Sequence, residues 1–360
     1  MRFHARISSG GVRSRIRTIV LRNDQVPPQR RDTTRPSVYF DYNIYARAFS
    51  VSGMRRWLDK LSKEVDLCVS PAHLLDLVRW ADPARAELAA WFDELDLVWM
   101  KSQSIIEQVE LATLLLRRAG IEFELEQIPF ANGMLAAFEG MQKINNIVAV
   151  LRDHRLQTWI SHVSPDVVAR NDESSRGLYR SLWPDRNFAN QNGVSRSQLE
   201  AQRRAKTETA LSEQARTAAG DLRILSRAAN LGIPFKTNVA IDEISLSATP
   251  YLALQLEVFR HLAEEIMNAK KRPSQDQLIE HRSDVIDAGH FVGAAYCDIY
   301  SCDQAMQRHM RGLREQMGKA HALALRDEGK FQTLVARQLA ALQQLRIMPA
   351  IIAKPAEPVR

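Results

Sequence analysis

Short apolar runs alternate with segments of helical spacing over the first hundred residues. The runs VYF (38–40), DLCVS (66–70) and DLVWMKS (96–102) each predict a buried strand. Between them, NIYARAF, MRRWLDKLSKEV and PAHLLDLVRWA place apolar residues about one helical turn apart. Strands that alternate with helices at this spacing predict a parallel sheet built from βαβ units.

The middle of the chain has a different pattern. From about residue 104 to 266, long stretches of helical spacing predominate. Strand character returns only in AAYCDIYSCD (294–303), and the spacing after it is helical again. We therefore predict an α/β fold whose parallel-sheet domain is split by a large all-α insertion. Its parts are a domain formed by 37–103 and 267–346, the insertion over 104–266, and a flexible tail at 347–360.

The composition excludes several classes of protein. It is 45% hydrophobic and 25% charged, as in globular proteins. No apolar run approaches the ~18 residues of a membrane span, so no membrane contact is expected. Three cysteines without a Cys-x-x-Cys pair argue against a disulfide framework and favour a cytoplasmic location. The motifs of P-loop nucleotide-binding proteins, Rossmann dehydrogenases, serine hydrolases and zincins are absent from the sequence.

The excess positive charge lies in the first 36 residues. They contain nine arginines and two aspartates, a balance that equals the net charge of +7 of the whole chain. We expect this segment to be a disordered basic arm, which would add salt-dependent affinity for phosphates. A targeting segment, or a start codon assigned too far upstream, would have a similar composition. Charge alone therefore does not identify a partner.

Polar side chains follow the predicted strands where each strand ends. Asp41 and Asn43 come after the first strand, and Asp303 ends the last one in the same way. Asp76 lies in the helix after the second strand. Because ligands bind at the carboxyl ends of the strands in an open parallel sheet, we expect these side chains to share one edge. Asp41 also suits the N-cap of the following helix, which is the structural alternative to a ligand role.

The late part of the chain adds further acids. Asp284 and Asp287 are three residues apart and share a helix face, and Asp298 lies within AAYCDIYSCD. Several carboxylates at one edge would repel one another unless a hard divalent cation neutralised them, which predicts bound Mg²⁺ or Mn²⁺. Such a cation activates water for phosphodiester hydrolysis. We expect His290, three residues beyond Asp287, to be a core-edge or supporting histidine and not a catalytic one.

These acidic segments resemble the PIN-domain nucleases. VYFDYN is similar to the opening strand of that family with its Asp-x-Asn, and CVSPAHLLDL to its second strand and the helix bearing the second acid. SDVIDAGHFVGAAYCDIYSCD is similar to the late helix and strand of the family. The resemblance implies a Mg²⁺- or Mn²⁺-dependent endoribonuclease on a PIN-like parallel α/β/α sandwich. RNA would be its substrate, and its catalytic metal ligands would be Asp41, Asp76, Asp284 and Asp303.

Two features depart from that family's pattern. Asp76 stands where the family usually has the longer Glu, and the insertion over 104–266 is foreign to its compact members. Asp287 and Asp298 could assist or replace a metal ligand, and Asn43 would support the turn after the first strand. The insertion would shape substrate access or bind a protein, either a regulator or a second copy of the chain. The alternatives in function are a catalytically inactive PIN-like RNA-binding or scaffold protein and a DNA-directed nuclease of related fold.

Overall fold

The computed structural model describes residues 2–7, 17–20, 35–78, 84–123, 130–131, 156, 195–228, 234–268 and 284–352. The strands are β1 (Arg2–Ile7), β2 (Arg17–Val20), β3 (Ser37–Tyr39), β4 (Asp66–Val69), β5 (Leu97–Trp99), β6 (Ile121–Phe123) and β7 (Ile299–Tyr300). The α-helices are α1 (Tyr42–Ser50), α2 (Ser52–Glu64), α3 (Pro71–Val78), α4 (Ala84–Glu94), α5 (Gln103–Arg118), α6 (Arg196–Ala228), α7 (Pro250–Asn268), α8 (Asp284–Tyr296), α9 (Gln304–Gln316) and α10 (Glu328–Ile352).

The larger sheet is parallel and contains the strands predicted from the apolar runs. Its strand order is β5-β4-β3-β7. Val38 of β3 pairs with Leu67 of β4 on one side and with Ile299 of β7 on the other. All four strands therefore end at one edge, where the chain continues into α1, α3, α5 and α9. The predicted α/β class and parallel sheet are confirmed.

Helices cover both faces of this sheet. Val38 and Phe40 pack in a buried cluster with residues of α1, α2, α3 and α4, whereas Tyr39 and Cys68 pack with residues of α5, α7, α8 and α9. Successive strand residues point to opposite faces, so both faces must be apolar. This explains why β3 and β4 are continuous apolar runs and lack an alternating pattern.

The segment predicted to be an all-α insertion differs from that prediction. Its helices α5 and α7 pack on the parallel sheet, since Ile106 and Tyr251 are fully buried in the same cluster as Tyr39. Another face of α5 buries Leu111 and Leu115 against α6. A helix that is apolar on two faces needs neighbours on both sides. The segment also contains strand β6, so it is not entirely helical.

Two strands lie in the segment predicted to be a disordered arm. β1 pairs antiparallel with β2 and with β6, forming a separate three-stranded sheet of order β2-β1-β6. The prediction is wrong for these strands because RFHARI alternates polar and apolar residues as a strand does, a pattern that the arginine content obscures. The predicted tail is likewise helical as far as Ile352. No helix within the described ranges has both the length and the apolar character to cross a membrane.

A buried arginine joins the end of α8 to β7 and α9. Arg314 is fully buried, and its guanidinium donates to the carbonyl oxygens of Ala294 at 2.5 Å, Asp298 at 2.7 Å and Ala320 at 2.7 Å. Burial lowers the pKa of Arg314 to about 10, still well above neutrality. A cation at a helix C-terminus also interacts favourably with the helix dipole. Arg314 therefore helps to hold α8 in place.

A buried carboxylate joins α5, α7 and α8. Glu110 accepts hydrogen bonds from the backbone N–H groups of Tyr251 at 2.8 Å and Leu252 at 2.9 Å, in the first turn of α7. The hydroxyl of Tyr296, in α8, donates to it as well. Burial raises the pKa of Glu110 to about 7, although these hydrogen bonds act in the opposite direction. Ionisation of Glu110 is therefore coupled to the packing of three helices.

Candidate metal centre

Three polar side chains from separate elements meet at the carboxyl edge of the parallel sheet. Asp41 follows β3, Asp76 lies in α3 and His290 lies in α8. The Nε2 atom of His290 is 2.9 Å from Oδ2 of Asp76 and 3.9 Å from Oδ1 of Asp41. Potential ligand atoms of the three residues all lie within 4.8 Å of one another. Among the described residues, this is the one group of His, Cys, Asp and Glu side chains with that geometry.

The cluster lies at the boundary between core and solvent. The side chain of His290 is 2% exposed, while those of Asp41 and Asp76 are 16% and 14% exposed. The two carboxylates are therefore accessible to water or to a small ion. The imidazole is anchored in the protein interior and presents one ring nitrogen to the two carboxylates.

The position of Asp41 follows from its role as a helix cap. Its backbone is extended, and its Oδ1 accepts a hydrogen bond from the N–H of Tyr42 at 2.7 Å, at the start of α1. Its own N–H donates to Oγ of Ser301, just after β7, at 3.1 Å. The capping role considered from the sequence is thus confirmed, and it orients the carboxylate within the cluster.

Burial and neighbouring charges perturb Asp41. Its pKa rises from the ordinary value of 3.8 to about 6, chiefly because the carboxylate is removed from water. A charged imidazole at His290 lowers this pKa, whereas the carboxylates of Asp76 and Asp303 raise it. A cation bound near Asp41 would therefore offset the repulsion between its carboxylate and those of Asp76 and Asp303.

Buried hydrogen bonds hold His290 on the side away from the carboxylates. The hydroxyl oxygen of Tyr39 is 2.8 Å from Nδ1 of His290, 2.7 Å from Oγ of Ser70 and 3.3 Å from Nδ1 of His73. All four side chains belong to residues that are at most 2% exposed. Tyr39 therefore connects the imidazole of the cluster to polar groups of the core.

Backbone contacts determine the protonation of His73. The N–H of Ser70 donates to Nδ1 of His73 at 3.1 Å, so this nitrogen carries no proton. The other nitrogen, Nε2, lies 2.7 Å from the carbonyl oxygen of Phe40 and must donate to it. Burial also lowers the pKa of His73. This histidine is therefore neutral, with its proton on Nε2.

Two glycines let α8 bring His290 close to its partners. A Cβ atom added to Gly293 would lie 2.1 Å from Cγ of Tyr39, and one added to Gly289 would lie 3.0 Å from Cβ of Ala72 in α3. Larger residues would keep α8 away from β3 and α3. The sequence GHFVG thus sets the position of the imidazole relative to the carboxylates.

Two other predicted site residues lie near this cluster. Asp303 caps α9, accepting from the N–H of Met306 at 2.6 Å, and it is close enough to Asp41 to raise the pKa of that carboxyl. It is not part of the group whose atoms lie within 4.8 Å. Asn43 is exposed in the first turn of α1.

The structure places Asp298 away from the cluster, at the opposite edge of the sheet. Its Oδ2 accepts from the N–H and from the hydroxyl of Ser37, each at 2.8 Å, where β3 begins. Its prediction as a metal ligand is wrong because Asp298 precedes β7 and only Asp303 follows that strand. Helix α8 begins at Asp284, but the side chains of Asp284 and Asp287 lie outside the described part of the chain. Their roles stay predictions.

His290 is the member of the cluster that the sequence argument did not place there. Its position three residues after Asp287, on a helix face already assigned to the site, was the available signal. For Tyr39 the sequence offered no signal, since it lies within an apolar strand. Ser70 lies at the end of the predicted strand DLCVS, and no sequence feature distinguishes His73.

Comparisons of the chain with protein-family models, with curated proteins and with solved structures find no match. The resemblance to PIN-domain nucleases stays a prediction from the motifs.

Proposed function

We propose that this chain is a divalent-metal-dependent nuclease that hydrolyses phosphodiester bonds in RNA, with Asp41, Asp76 and His290 as metal ligands. The observation that carries the proposal is the convergence of these side chains within 4.8 Å at the carboxyl edge of a parallel sheet. This edge is where open α/β sheets bind their ligands. The motif resemblance described above supports RNA as the substrate, and the arginines of the first 36 residues would add affinity for phosphates.

The donor atoms fit Mn²⁺ better than Mg²⁺. Carboxylate oxygens suit both ions, but Mg²⁺ is bound mainly by oxygen and retains several waters. Imidazole nitrogen is a ligand for softer divalent ions. The hydroxyl of Tyr39 beside Nδ1 of His290 is the kind of outer hydrogen bond that accompanies metal-bound histidine. We therefore expect Mn²⁺ to bind more tightly than Mg²⁺.

The groups of the chain would divide the chemistry between them. A bound divalent ion lowers the pKa of a coordinated water and neutralises charge on the phosphate. Asp41 and Asp76 supply the negative charge that attracts the ion, and His290 supplies a nitrogen ligand. Asp303, next to Asp41, is available to accept a proton from the attacking water. No covalent nucleophile is required.

A non-catalytic scaffold is the second candidate function. His290 lies 2.9 Å from Asp76, so an imidazolium alone could neutralise part of the cluster's charge without a metal ion. In that case the cluster would be a buried ion pair that stabilises the junction of α3 and α8. Metal binding separates the two functions.

Calorimetry with Mn²⁺ and with Mg²⁺, together with cleavage of an unstructured RNA and of single-stranded DNA of the same sequence, tests the proposal. We expect the wild type to bind Mn²⁺ and cut RNA, and Asp41→Asn to lose both. Asp96→Asn is the matched control, because this exposed carboxylate precedes β5 at the other edge of the sheet. Absence of Mn²⁺ binding by the wild type would favour the scaffold. Cutting that survives in Asp41→Asn would refute the assignment, and preferential cutting of DNA would change the substrate.

A further inference from the structure

Tyr39 has more polar neighbours than its single proton can serve. Its hydroxyl oxygen lies within 3.3 Å of Ser70 Oγ, His73 Nδ1 and His290 Nδ1. Each phenol hydroxyl can donate one hydrogen bond and accept others. The direction of each contact therefore decides which nitrogen of His290 is available to the cluster.

His73 is the weakest of the three acceptors for the Tyr39 proton. Its Nδ1 lone pair already accepts the N–H of Ser70 at 3.1 Å, a shorter contact than the 3.3 Å to Tyr39. Two strong partners remain, Ser70 Oγ at 2.7 Å and His290 Nδ1 at 2.8 Å. The Ser70 hydroxyl can donate or accept, so it can adapt to either direction.

Two arrangements of donors and acceptors then satisfy Ser70, Tyr39 and a neutral His290. In one, Ser70 donates to Tyr39, Tyr39 donates to Nδ1 of His290, and Nε2–H of His290 donates to Asp76. In the other, Nδ1–H of His290 donates to Tyr39, which donates to Ser70, and the lone pair of Nε2 faces the carboxylates. The second arrangement leaves Nε2 only 2.9 Å from an oxygen of Asp76. With Asp76 ionised, neither atom then carries a proton, and a cation bound by both would offset the repulsion between their lone pairs.

We propose that Tyr39 is a positioning residue of the metal centre, which accepts Nδ1–H of His290 and donates its own proton to Ser70, so that Nε2 is presented to a divalent ion. This inference rests on the proposed function, because it concerns the same site. Tyr39 itself does not contact the ion. Burial raises the pKa of Tyr39 far above neutrality, so the phenol keeps its proton throughout. Only the hydroxyl directions and the proton position on His290 differ between the two states.

The close packing of Tyr39 supports this role. Gly293, one turn after His290 in α8, admits the Tyr39 ring against the helix backbone. The ring also makes edge contacts with His73 and His290, with centroids 4.8 and 5.8 Å away. The hydroxyl therefore has little freedom to move away from Nδ1.

Mn²⁺ titration of the wild type and of Tyr39→Phe tests the inference. The variant keeps the ring and removes the acceptor for Nδ1–H, and loss of such an outer partner typically lowers metal affinity by about 10- to 100-fold. The matched control is Tyr251→Phe. This change also removes a buried tyrosine hydroxyl that bonds to α8, at the carbonyl of Ala288, but it leaves His290 untouched. We expect the control to bind Mn²⁺ as the wild type does.

A spectroscopic measurement separates positioning from general loss of structure. In protein with nitrogen-15 labelled histidine and saturating Zn²⁺ as a diamagnetic probe, we expect a slowly exchanging proton on Nδ1 of His290. This signal should persist in Tyr251→Phe and be lost or strongly shifted in Tyr39→Phe. A Zn²⁺-bound wild type with the His290 proton on Nε2 would overturn the inference.

The outcomes distinguish this inference from the proposed function. If the wild type binds no Mn²⁺, the proposed function fails and this inference fails with it. If the wild type binds Mn²⁺ and Tyr39→Phe binds it equally well, only the role of Tyr39 is refuted. Should Tyr39→Phe not fold, Ser70→Ala removes the acceptor for the Tyr39 proton. We then expect a smaller loss of Mn²⁺ affinity, and an unchanged affinity would overturn the inference.

Discussion

Replacing Asp41 with asparagine should stabilise the metal-free protein while removing its metal binding. Asparagine caps helices about as well as aspartate, so the hydrogen bond from the N–H of Tyr42 can be kept. The change removes a negative charge that lies near the carboxylates of Asp76 and Asp303. The penalty for that charge falls on the folded state, because an unfolded chain leaves the carboxylate in water.

The pKa of Asp41 gives the size and the pH dependence of this effect. A rise from 3.8 to about 6 corresponds to about 3 kcal/mol. Because the folded pKa is the higher one, the penalty is absent below about pH 4, develops between about pH 4 and 6, and is complete above that range. Asp41→Asn should therefore match the wild type near pH 4 and exceed its free energy of unfolding by up to about 3 kcal/mol near pH 8.

Urea unfolding in EDTA, repeated with Mn²⁺, measures this difference. A ligand that binds only the folded state adds about 2.7 kcal/mol to the free energy of unfolding at about 100 times its Kd. Mn²⁺ should therefore raise the free energy of unfolding of the wild type by about this amount and leave that of Asp41→Asn unchanged. Asp96→Asn, at an exposed carboxylate, should show neither effect. A variant less stable than the wild type near pH 8 in EDTA, or a gain that does not change with pH, would refute the reasoning.

Three other changes test the packing that supports the site, each by thermal or urea unfolding. Gly293→Ala places a methyl group against the ring of Tyr39 and should cost at least about 2 kcal/mol, because the two backbones must separate. Arg314→Met removes the donor of three carbonyl oxygens, one buried and two partly buried, and should cost at least about 3 kcal/mol. Glu110→Gln should remove a loss of stability of about 3 kcal/mol that the wild type undergoes as the pH rises from about 4.5 to 7, since burial raises the pKa of Glu110 to about 7.

Controls on the same or neighbouring elements distinguish these effects from unspecific damage. Gly312→Ala adds its methyl group in open space on α9 and should be neutral or stabilising by up to about 1 kcal/mol. Arg311→Met, on the exposed side of α9, should change stability by less than about 0.5 kcal/mol. For Glu110, the relevant quantity is the pH slope, and a slope retained in Glu110→Gln would contradict the assignment. Equal losses in a variant and its control would contradict the packing arguments.

The strand and helix assignments of the parallel domain could be predicted from the sequence because their signals are local. β3 and β4 are apolar runs, and Ser70 with Pro71 marks the start of α3. The first residues were predicted wrongly, because their high arginine content indicated a disordered arm although RFHARI alternates polar and apolar residues as a strand does. The local signals indicated the helical spacing of α5 but not its partners, which come from distant parts of the chain on both of its faces.

The candidate site could be predicted only in part. Asp41 was found because it follows a buried strand, and Asp76 because it lies in the helix after the next strand. Asp298 was misplaced because sequence spacing does not show at which end of a two-residue strand a side chain lies. The sequence did not predict His290 as a metal ligand, because a histidine on a helix has many possible neighbours and the sequence does not select one.

The sequence by itself determined the strands of the parallel sheet, the helices that follow them and the acids at the strand ends, because apolar runs, caps and helical spacing act between nearby residues. Only the tertiary structure decided which polar groups meet. Gly293 admits the ring of Tyr39 against α8, and this contact, made by residues far apart in the chain, positions His290 beside Asp76. The reason is physical: distances of a few ångströms between such residues depend on how closely whole elements pack, and one methyl group is enough to change them.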